Sequence, residues 1–278
     1  MFEHRLLSSL CLILTVTLLI FLAPWQLFLG ICILLVYLAQ IEFYRMMTQR
    51  GLEPLVFLGI VSGIAVQAAQ FFAIGHPSLE KNIDLTSLTY FLILSGIFLG
   101  VLGRFGKISV LSSMASTWLG VFYVAWLFSY VIKIRYFPGV LGNWFLLFAL
   151  LTTKSTDIAA YLIGSAFGKR KLIPMISPKK TVEGALGGIF GAGLAGSLFF
   201  WIWHQELSPF SWRDILFLSI VFGFLAQVGD IVESSMKRDA QIKDSGAVFP
   251  GMGGVLDVLD SLLLTCPLMY FYMALRLT

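Results

Sequence analysis

Residues 144–164 read WFLLFALLTTKSTDIAAYLIG, and this stretch decides the fold class of the protein. An apolar run of about 20 residues is long enough to cross the hydrocarbon core of a bilayer as one α-helix. Comparable runs recur along the chain, which is 58% hydrophobic and only 12% charged. A soluble domain has about a quarter of its residues charged, so this composition excludes a soluble protein with a large core. We predict an all-α, polytopic integral membrane protein.

The apolar runs predict about nine transmembrane helices in a single membrane domain, residues 1–278. We expect 1–142 to hold N-terminal transmembrane helices and 143–278 to hold the catalytic helices and cytoplasmic loops. Glycines three and four residues apart at the start of the seventh span predict close helix packing. The predicted spans are 6–22, 26–41, 54–74, 85–103, 108–132, 143–163, 184–204, 212–229 and 253–275.

The distribution of basic residues predicts the orientation of these helices. With the N-terminus inside, 13 of the 19 lysines and arginines face the cytoplasm, 5 face outward and Lys154 lies within a span. Cytoplasmic loops of membrane proteins are enriched in lysine and arginine, which favours this orientation. It places the charge-rich loops 164–183 and 230–252 on the cytoplasmic face. We attribute the net charge of +4 to topology and lipid contact, and we expect no nucleic-acid partner.

Two charges lie inside the sixth span, although each costs about 2.5–3.5 kcal/mol to insert. Lys154 and Asp157 are three residues apart and therefore share a helix face. One interpretation is a mutually neutralising structural pair. The other is a polar wall that faces a water-filled cavity, and both interpretations remain open.

The sequence SPKKT in the following loop predicts the start of the seventh helix. Ser177 is one candidate N-cap, because a proline follows it at the first helical position. Thr181 is the other candidate, with Glu183 in the first turn. Both choices place Lys179 and Lys180 at a helix N-terminus, where the helix dipole disfavours cations. A bound phosphate would remove this conflict, and a topology signal is the alternative explanation of the two lysines.

Carboxylates are concentrated at two helix ends near the C-terminus. Asp230 and Glu233 are three residues apart at the end of the eighth span, and Asp257 and Asp260 have the same spacing in the ninth. Oxygen ligands of this kind favour Mg²⁺, which takes one or two carboxylates plus substrate phosphates and water. A structural ion-pair network is the alternative, since nearby basic residues could balance the carboxylates: Lys237, Arg238 and Lys243.

Two longer patterns resemble the signatures of the phosphatidate cytidylyltransferase (CDP-diacylglycerol synthase) family. One is DIAAYLIGSAFGKRKLIPMISPKKTVEG at 157–184, and the other is SMKRDAQIKDSGAVFPGMGGVLDVLD at 235–260. The resemblance covers roughly 150–265, and the N-terminal half matches only as generic transmembrane helices. The chain departs from the family at Met252, where the family often has His, and at Val258, where it often has Arg. No role is assigned at these two positions.

The resemblance implies transfer of the CMP moiety of CTP to phosphatidic acid, giving CDP-diacylglycerol and pyrophosphate for phospholipid synthesis. It implies Mg²⁺ as a cofactor, with a second cation left open, and Asp230, Asp257 and Asp260 as the metal ligands. The implied catalytic residues are Asp230, Lys237, Arg238, Lys243, Asp244, Asp257 and Asp260. The implied substrate-binding residues are Asp157, Ser177, Lys179, Lys180, Thr181, Glu183, Gly253 and Gly254.

The resemblance also implies an enzyme of the inner (cytoplasmic) membrane of a bacterium, surrounded by membrane lipids, with its active site facing the cytosol. Monomer and homodimer both remain open. The alternative functions are a CTP-dependent polyprenol or phytol kinase, a catalytically inactive relative, and an ion or metabolite transporter. A kinase would transfer the γ-phosphoryl group of CTP. A transporter is disfavoured because the charges gather at helix ends rather than at mid-membrane.

Overall fold

The computed structural model describes residues 14–76, 83–106, 108–249 and 253–277. Long α-helices dominate this part of the chain. Two short strands, β1 (Lys171–Ile173) and β2 (Ser177–Thr181), form an antiparallel hairpin. The helices are α1 (Trp25–Gln49), α2 (Val56–Gly75), α3 (Leu85–Leu102), α4 (Val110–Arg135, with a π-helical segment at Gly120–Trp126), α5 (Gly142–Phe167), α6 (Val182–Ile202), α7 (Trp212–Asp239), α8 (Val255–Leu259) and α9 (Leu262–Leu277).

Eight helical segments of the described residues are long and apolar enough to cross a membrane, with α8 and α9 counted as one segment. They coincide with eight of the predicted spans. The prediction of an all-α polytopic membrane protein is therefore confirmed, and the short hairpin is an addition to it. The first predicted span, 6–22, lies largely outside the described residues, and its described part, 14–22, is helical.

Residues Met1–Tyr136 and Asp239–Val258 form one compact unit. Two of its buried polar side chains, Gln40 and Tyr44, bind backbone carbonyls of neighbouring helices, because apolar surroundings offer no water to satisfy them. Gln40 Nε2 donates to the carbonyl oxygens of Gly59 and Gly120, each at 3.2 Å. The Tyr44 hydroxyl donates to the Thr117 carbonyl oxygen at 2.9 Å. These bonds fix the rotation of α1 against α2 and α4, and with it the direction of every other side chain on α1.

Residues Phe137–Arg238 and Leu259–Thr278 form the second compact unit. A Cβ atom at Gly188 would lie 3.1 Å from the Thr156 carbonyl oxygen, and one at Gly184 would lie 2.8 Å from the Ala160 carbonyl oxygen. The glycines therefore let α6 approach the backbone of α5, which confirms the packing interpretation of the glycine pattern. This contact holds the polar residues of α5 beside the start of α6.

Candidate active site

The hairpin before α6 decides between the two candidate N-caps. Thr181 is the N-cap of α6, and its Oγ1 accepts a hydrogen bond from the Gly184 N–H at 3.1 Å. Ser177 instead begins β2, so the prediction that it caps a helix is wrong. Its extended backbone follows from pairing with β1, in which Ile173 lies opposite Ser177.

The two lysines of SPKKT lie on β2 rather than in the first turn of a helix, which corrects their predicted placement. Lys180 forms an ion pair with Asp230 of α7, with Nζ and Oδ2 2.6 Å apart. Lys179 is exposed. A carboxylate of the protein therefore balances the charge of Lys180, and contact of either lysine with phosphate stays a prediction.

Lys180 belongs to a group of charged side chains in the second unit, which we call the lysine–aspartate cluster: Lys154, Asp157, Lys180, Asp230 and Asp260. Lys154 Nζ lies 3.5 Å from Asp157 Oδ2, and Asp157, Asp230 and Asp260 interact electrostatically with one another. Three carboxylates and two amines carry one net negative charge when all are ionised. The side chains of the two ion pairs are 26 to 38% exposed, so a charged ligand can reach them. This exposure favours the polar-wall interpretation of Lys154 and Asp157 over a sealed structural pair.

A close backbone contact brings Asp260 into this cluster. Asp260 follows the last residue of α8 and is 6% exposed. A Cβ atom at Gly229 would lie 2.5 Å from the Asp260 carbonyl oxygen. Glycine at 229 therefore lets α7 approach this backbone, and it carries the neighbouring Asp230 toward Asp260. Of the four carboxylates that the sequence analysis singles out at the two helix ends, Asp230 and Asp260 interact within this unit, and Asp157 of α5 joins them.

Glu233, Lys237 and Arg238, near the end of α7, have partners within the same unit. Glu233 is fully buried and forms an ion pair with Lys237, one helical turn later. This i,i+4 pair supports the continuation of α7 to Asp239, past the predicted end at 229. Arg238 Nε donates to the Ile176 carbonyl oxygen in the hairpin turn, at 3.1 Å. The ion-pair interpretation holds for Glu233, while catalytic roles of Lys237 and Arg238 stay predictions.

Glu183 supports the loop that precedes the hairpin. Its carboxylate accepts hydrogen bonds from the backbone N–H groups of Lys169, at 3.0 Å, and Arg170, at 3.1 Å. The bonds tie the start of the basic loop to the first turn of α6. Glu183 therefore has a structural role, and its role in substrate binding stays a prediction.

Asp257 lies in the first unit, where it organises the loop before α8. Its Oδ2 accepts hydrogen bonds from the Ser245 N–H at 3.0 Å, the Ser245 hydroxyl at 2.9 Å and the Gly254 N–H at 2.7 Å. Gly253 has φ +99°, which favours glycine, and a Cβ atom there would lie 2.5 Å from Asp257 Oδ2. Both predicted substrate-binding glycines thus have a structural role at this loop, since Gly253 leaves room for the Asp257 carboxylate and Gly254 donates its N–H to it.

Lys243 and Asp244 lie in the same loop, and both are exposed. Asp244 lines a cavity together with Arg45 and Gln49, which belong to the end of α1. The predicted catalytic roles of Lys243 and Asp244 stay predictions. Met252, where the chain departs from the family pattern, lies outside the described residues.

Glu42 of α1 is a buried carboxylate that the sequence prediction misses. It is 7% exposed, and it accepts hydrogen bonds from the Ser245 hydroxyl at 2.9 Å, the Val255 N–H at 2.9 Å and the Leu256 N–H at 2.8 Å. The predicted span ends at 41, which places Glu42 in a solvated loop, whereas α1 continues to Gln49. The sequence signal that could have shown this is the run of apolar residues that resumes after Glu42.

The metal-binding capacity of the site depends on its carboxylates. Within the described ranges, no three His, Cys, Asp or Glu side chains are arranged as a metal site made by protein alone. Mg²⁺ is typically held by one or two carboxylates and completes its shell with water and substrate phosphates. The carboxylates of the lysine–aspartate cluster therefore fit a magnesium ion that binds together with a phosphate substrate.

Comparison with known proteins identifies relatives of the chain. Residues 3–276 match the family described as "Cytidylyltransferase family". The chain is 40% identical over 157 residues to "Phosphatidate cytidylyltransferase" of Bacillus subtilis, an alignment that covers 56% of this chain and 57% of the relative. It is 34% identical to the protein of the same name from Rickettsia bellii, over 81% of this chain and 97% of the relative. A third protein of that name, from Synechocystis, is 29% identical over 88% of this chain and 87% of the relative.

The extent of these alignments differs between relatives. The chain spans about half the length of the Bacillus relative and of "Phosphatidate cytidylyltransferase" of Chlamydia trachomatis, of which it covers 43%. The Rickettsia and Synechocystis alignments are longer and extend over most of both chains.

Proposed function

Because the chain belongs to the cytidylyltransferase family, we propose that it transfers the CMP moiety of CTP to phosphatidic acid. A phosphate oxygen of phosphatidic acid attacks the α-phosphorus of CTP. The bond from this phosphorus to the oxygen that bridges to the β-phosphate breaks, and pyrophosphate leaves with the bonding electrons. The products are CDP-diacylglycerol and pyrophosphate. The names of the Bacillus, Rickettsia and Synechocystis relatives support this substrate.

The lysine–aspartate cluster is the structural observation that best supports the proposal. The attacking oxygen belongs to the lipid, so the reaction needs no side-chain nucleophile. It needs positive charge and metal-binding oxygens beside the phosphates. Lys180, which pairs with Asp230 at 2.6 Å, would exchange this carboxylate for a phosphate oxygen when substrate binds. Exposed apolar residues of the neighbouring helices, such as Leu162 and Leu186, offer a surface for the acyl chains.

The proposed cofactor is Mg²⁺, held by Asp230 and Asp260, and Asp257 stays a predicted ligand. When bound, the ion neutralises the charge of the CTP phosphates and of the leaving pyrophosphate. Lys154 offsets the mutual repulsion of the carboxylates before the ion arrives. A second cation stays a prediction.

The proposed location is the inner membrane of a bacterium, with the lysine–aspartate cluster facing the cytosol. Bacterial relatives and eight apolar helices support a multi-pass bacterial membrane protein. The basic residues between α5 and α6, together with Lys237 and Arg238 at the end of α7, support the orientation. CTP would then arrive from the cytosol and phosphatidic acid from the inner leaflet.

The position of the label in CTP tests the reaction. Purified protein is incubated with phosphatidic acid, Mg²⁺ and CTP labelled in either the α- or the γ-phosphate. We expect label in the lipid from α-labelled CTP and in pyrophosphate from γ-labelled CTP. Label in the lipid from γ-labelled CTP would identify a lipid kinase instead. A protein without either activity in the presence of both substrates would contradict the proposal.

A further inference from the structure

Glu42 binds donors that lie in one distant segment of the chain. We call residues 243–249 and 253–256 the docked segment. It belongs to α1, which is long and apolar enough to cross a membrane. Its three donors, in Ser245, Val255 and Leu256, lie 203, 213 and 214 positions later in the sequence. Burying a carboxylate without hydrogen-bond partners is strongly unfavourable. Glu42 is therefore accommodated within α1 by the docking of this segment.

The segment has a shape that matches the Glu42 carboxylate. A Cβ atom at Gly246 would overlap Oε1 of Glu42, and a Cβ atom at Gly254 would overlap Oε2. Both glycines therefore lie directly against the carboxylate oxygens. The segment closes around Glu42 from both sides, which a side chain at either position would prevent.

The same contacts connect Glu42 to Asp257. The Ser245 hydroxyl oxygen lies 2.9 Å from Glu42 Oε2 and 2.9 Å from Asp257 Oδ2. A hydroxyl has one hydrogen and donates it to one of these carboxylates at a time. Glu42 also holds the N–H groups of Val255 and Leu256, the two residues that precede Asp257. It thereby fixes both the hydroxyl that Asp257 binds and the backbone that carries Asp257.

We propose that Glu42 is a positioning residue, which sets the place and direction of the Asp257 carboxylate. It acts through Ser245 and through the first residues of α8, without contact with substrate. This inference rests on the function proposed above, because Asp257 matters for activity only if the chain is a cytidylyltransferase. The N-terminal helices, in which the sequence analysis predicts no site residue, would then supply a residue on which turnover depends.

The substitution Glu42→Gln tests the proposal with little change in volume. Glu42 Oε1 accepts from the Val255 N–H, and Oε2 accepts from the Leu256 N–H. In either orientation, the glutamine NH₂ group faces one of these N–H donors, so one attractive contact becomes repulsive. We expect kcat per folded protein to fall at least ten-fold. Glu53→Gln, which neutralises an exposed carboxylate just before α2, is the matched control and should keep wild-type kcat.

Two measurements separate positioning from a general loss of stability. The first is kcat normalised to the folded protein that elutes as one peak in detergent, since a purely stabilising residue would change the folded fraction and leave kcat unaltered. The second is trypsin cleavage after Lys243, which is exposed in the docked segment. We expect at least ten-fold faster cleavage in Glu42→Gln than in wild type or Glu53→Gln. Wild-type kcat in folded Glu42→Gln would overturn the proposal.

A second variant covers the case in which Glu42→Gln does not fold. Gly246→Ala keeps the carboxylate and pushes the segment away from it, so it should also lower kcat ten-fold in folded protein. Wild-type kcat in that variant would overturn the proposal. If wild-type protein makes no CDP-diacylglycerol, the proposed function fails. Even then, the rate of trypsin cleavage after Lys243 would show whether Glu42 holds the segment in place. Wild-type cleavage rates in both Glu42→Gln and Gly246→Ala would overturn the inference, whatever the outcome of the activity assay.

Discussion

Replacing Gly229 by alanine is expected to separate the carboxylates of the proposed site. Gly229 precedes Asp230 on α7, and a Cβ atom added to it would meet the Asp260 carbonyl oxygen at 2.5 Å. This distance is about 1 Å shorter than ordinary van der Waals contact, which begins near 3.4 Å. The neighbour is backbone rather than the end of a flexible side chain, so the chain itself must move.

The expected magnitude follows from that displacement. A misplacement of ~1 Å in a catalytic group costs about 10²-fold in rate. Overpacking of this kind lowers the free energy of unfolding by ~1–3 kcal/mol. Alanine is the better helix former by about 0.8–1.0 kcal/mol, which offsets part of the loss. We therefore expect a roughly hundred-fold lower turnover with a smaller loss of stability.

Gly193→Ala is the matched control in the same unit. Gly193 lies within α6, and a Cβ atom there would meet its nearest neighbour, Leu216 Cδ1, at 3.9 Å. Both variants gain the same helix propensity, so the difference between them measures the clash at Gly229 alone. CDP-diacylglycerol formation per folded protein and thermal unfolding in detergent are the assays. Equal turnover in Gly229→Ala and Gly193→Ala would refute the reasoning.

Three other predictions concern charge and orientation. Lys180→Ala should lower kcat/KM for CTP by one to two decades, as expected for a charged hydrogen bond of ~1.5–3 kcal/mol. Lys179→Ala should lower kcat/KM for CTP by less, because the Lys179 side chain is exposed. A CTP titration that gives equal losses of kcat/KM in both variants would contradict this order. Asp257→Asn should nearly abolish turnover but stay folded, since the amide oxygen can accept the same donors; normal turnover would exclude Asp257 from the site. In sealed right-side-out cells, Lys179→Cys and Lys243→Cys should resist an impermeant thiol reagent, and labelling of both would reverse the proposed orientation.

The sequence alone determined the class of fold and the position of most helices. Bilayer thickness sets the length of a spanning helix, so apolar runs such as 144–164 are visible without any knowledge of their neighbours. Contacts within one helix were also predictable. Lys154 with Asp157, and Glu233 with Lys237, form the ion pairs that their spacing allows.

The tertiary structure decided which of these charges meet. Lys180 pairs with Asp230, and Gly229 lets α7 approach Asp260, although nothing in the local pattern links β2, α7 and the residue after α8. The hairpin also overrode the helix-start pattern at Ser177, because pairing with β1 holds that backbone extended.

Glu42 shows most clearly what the local pattern leaves undetermined. The apolar residues on both sides of it indicate only that the helix continues past this carboxylate. Its function depends on donors more than 200 positions away, at Ser245, Val255 and Leu256. Helix length and i,i+4 pairing arise from residues close in sequence, so the sequence reports them directly. A buried carboxylate needs whichever donors the fold brings to it, and only the packed chain specifies which donors those are.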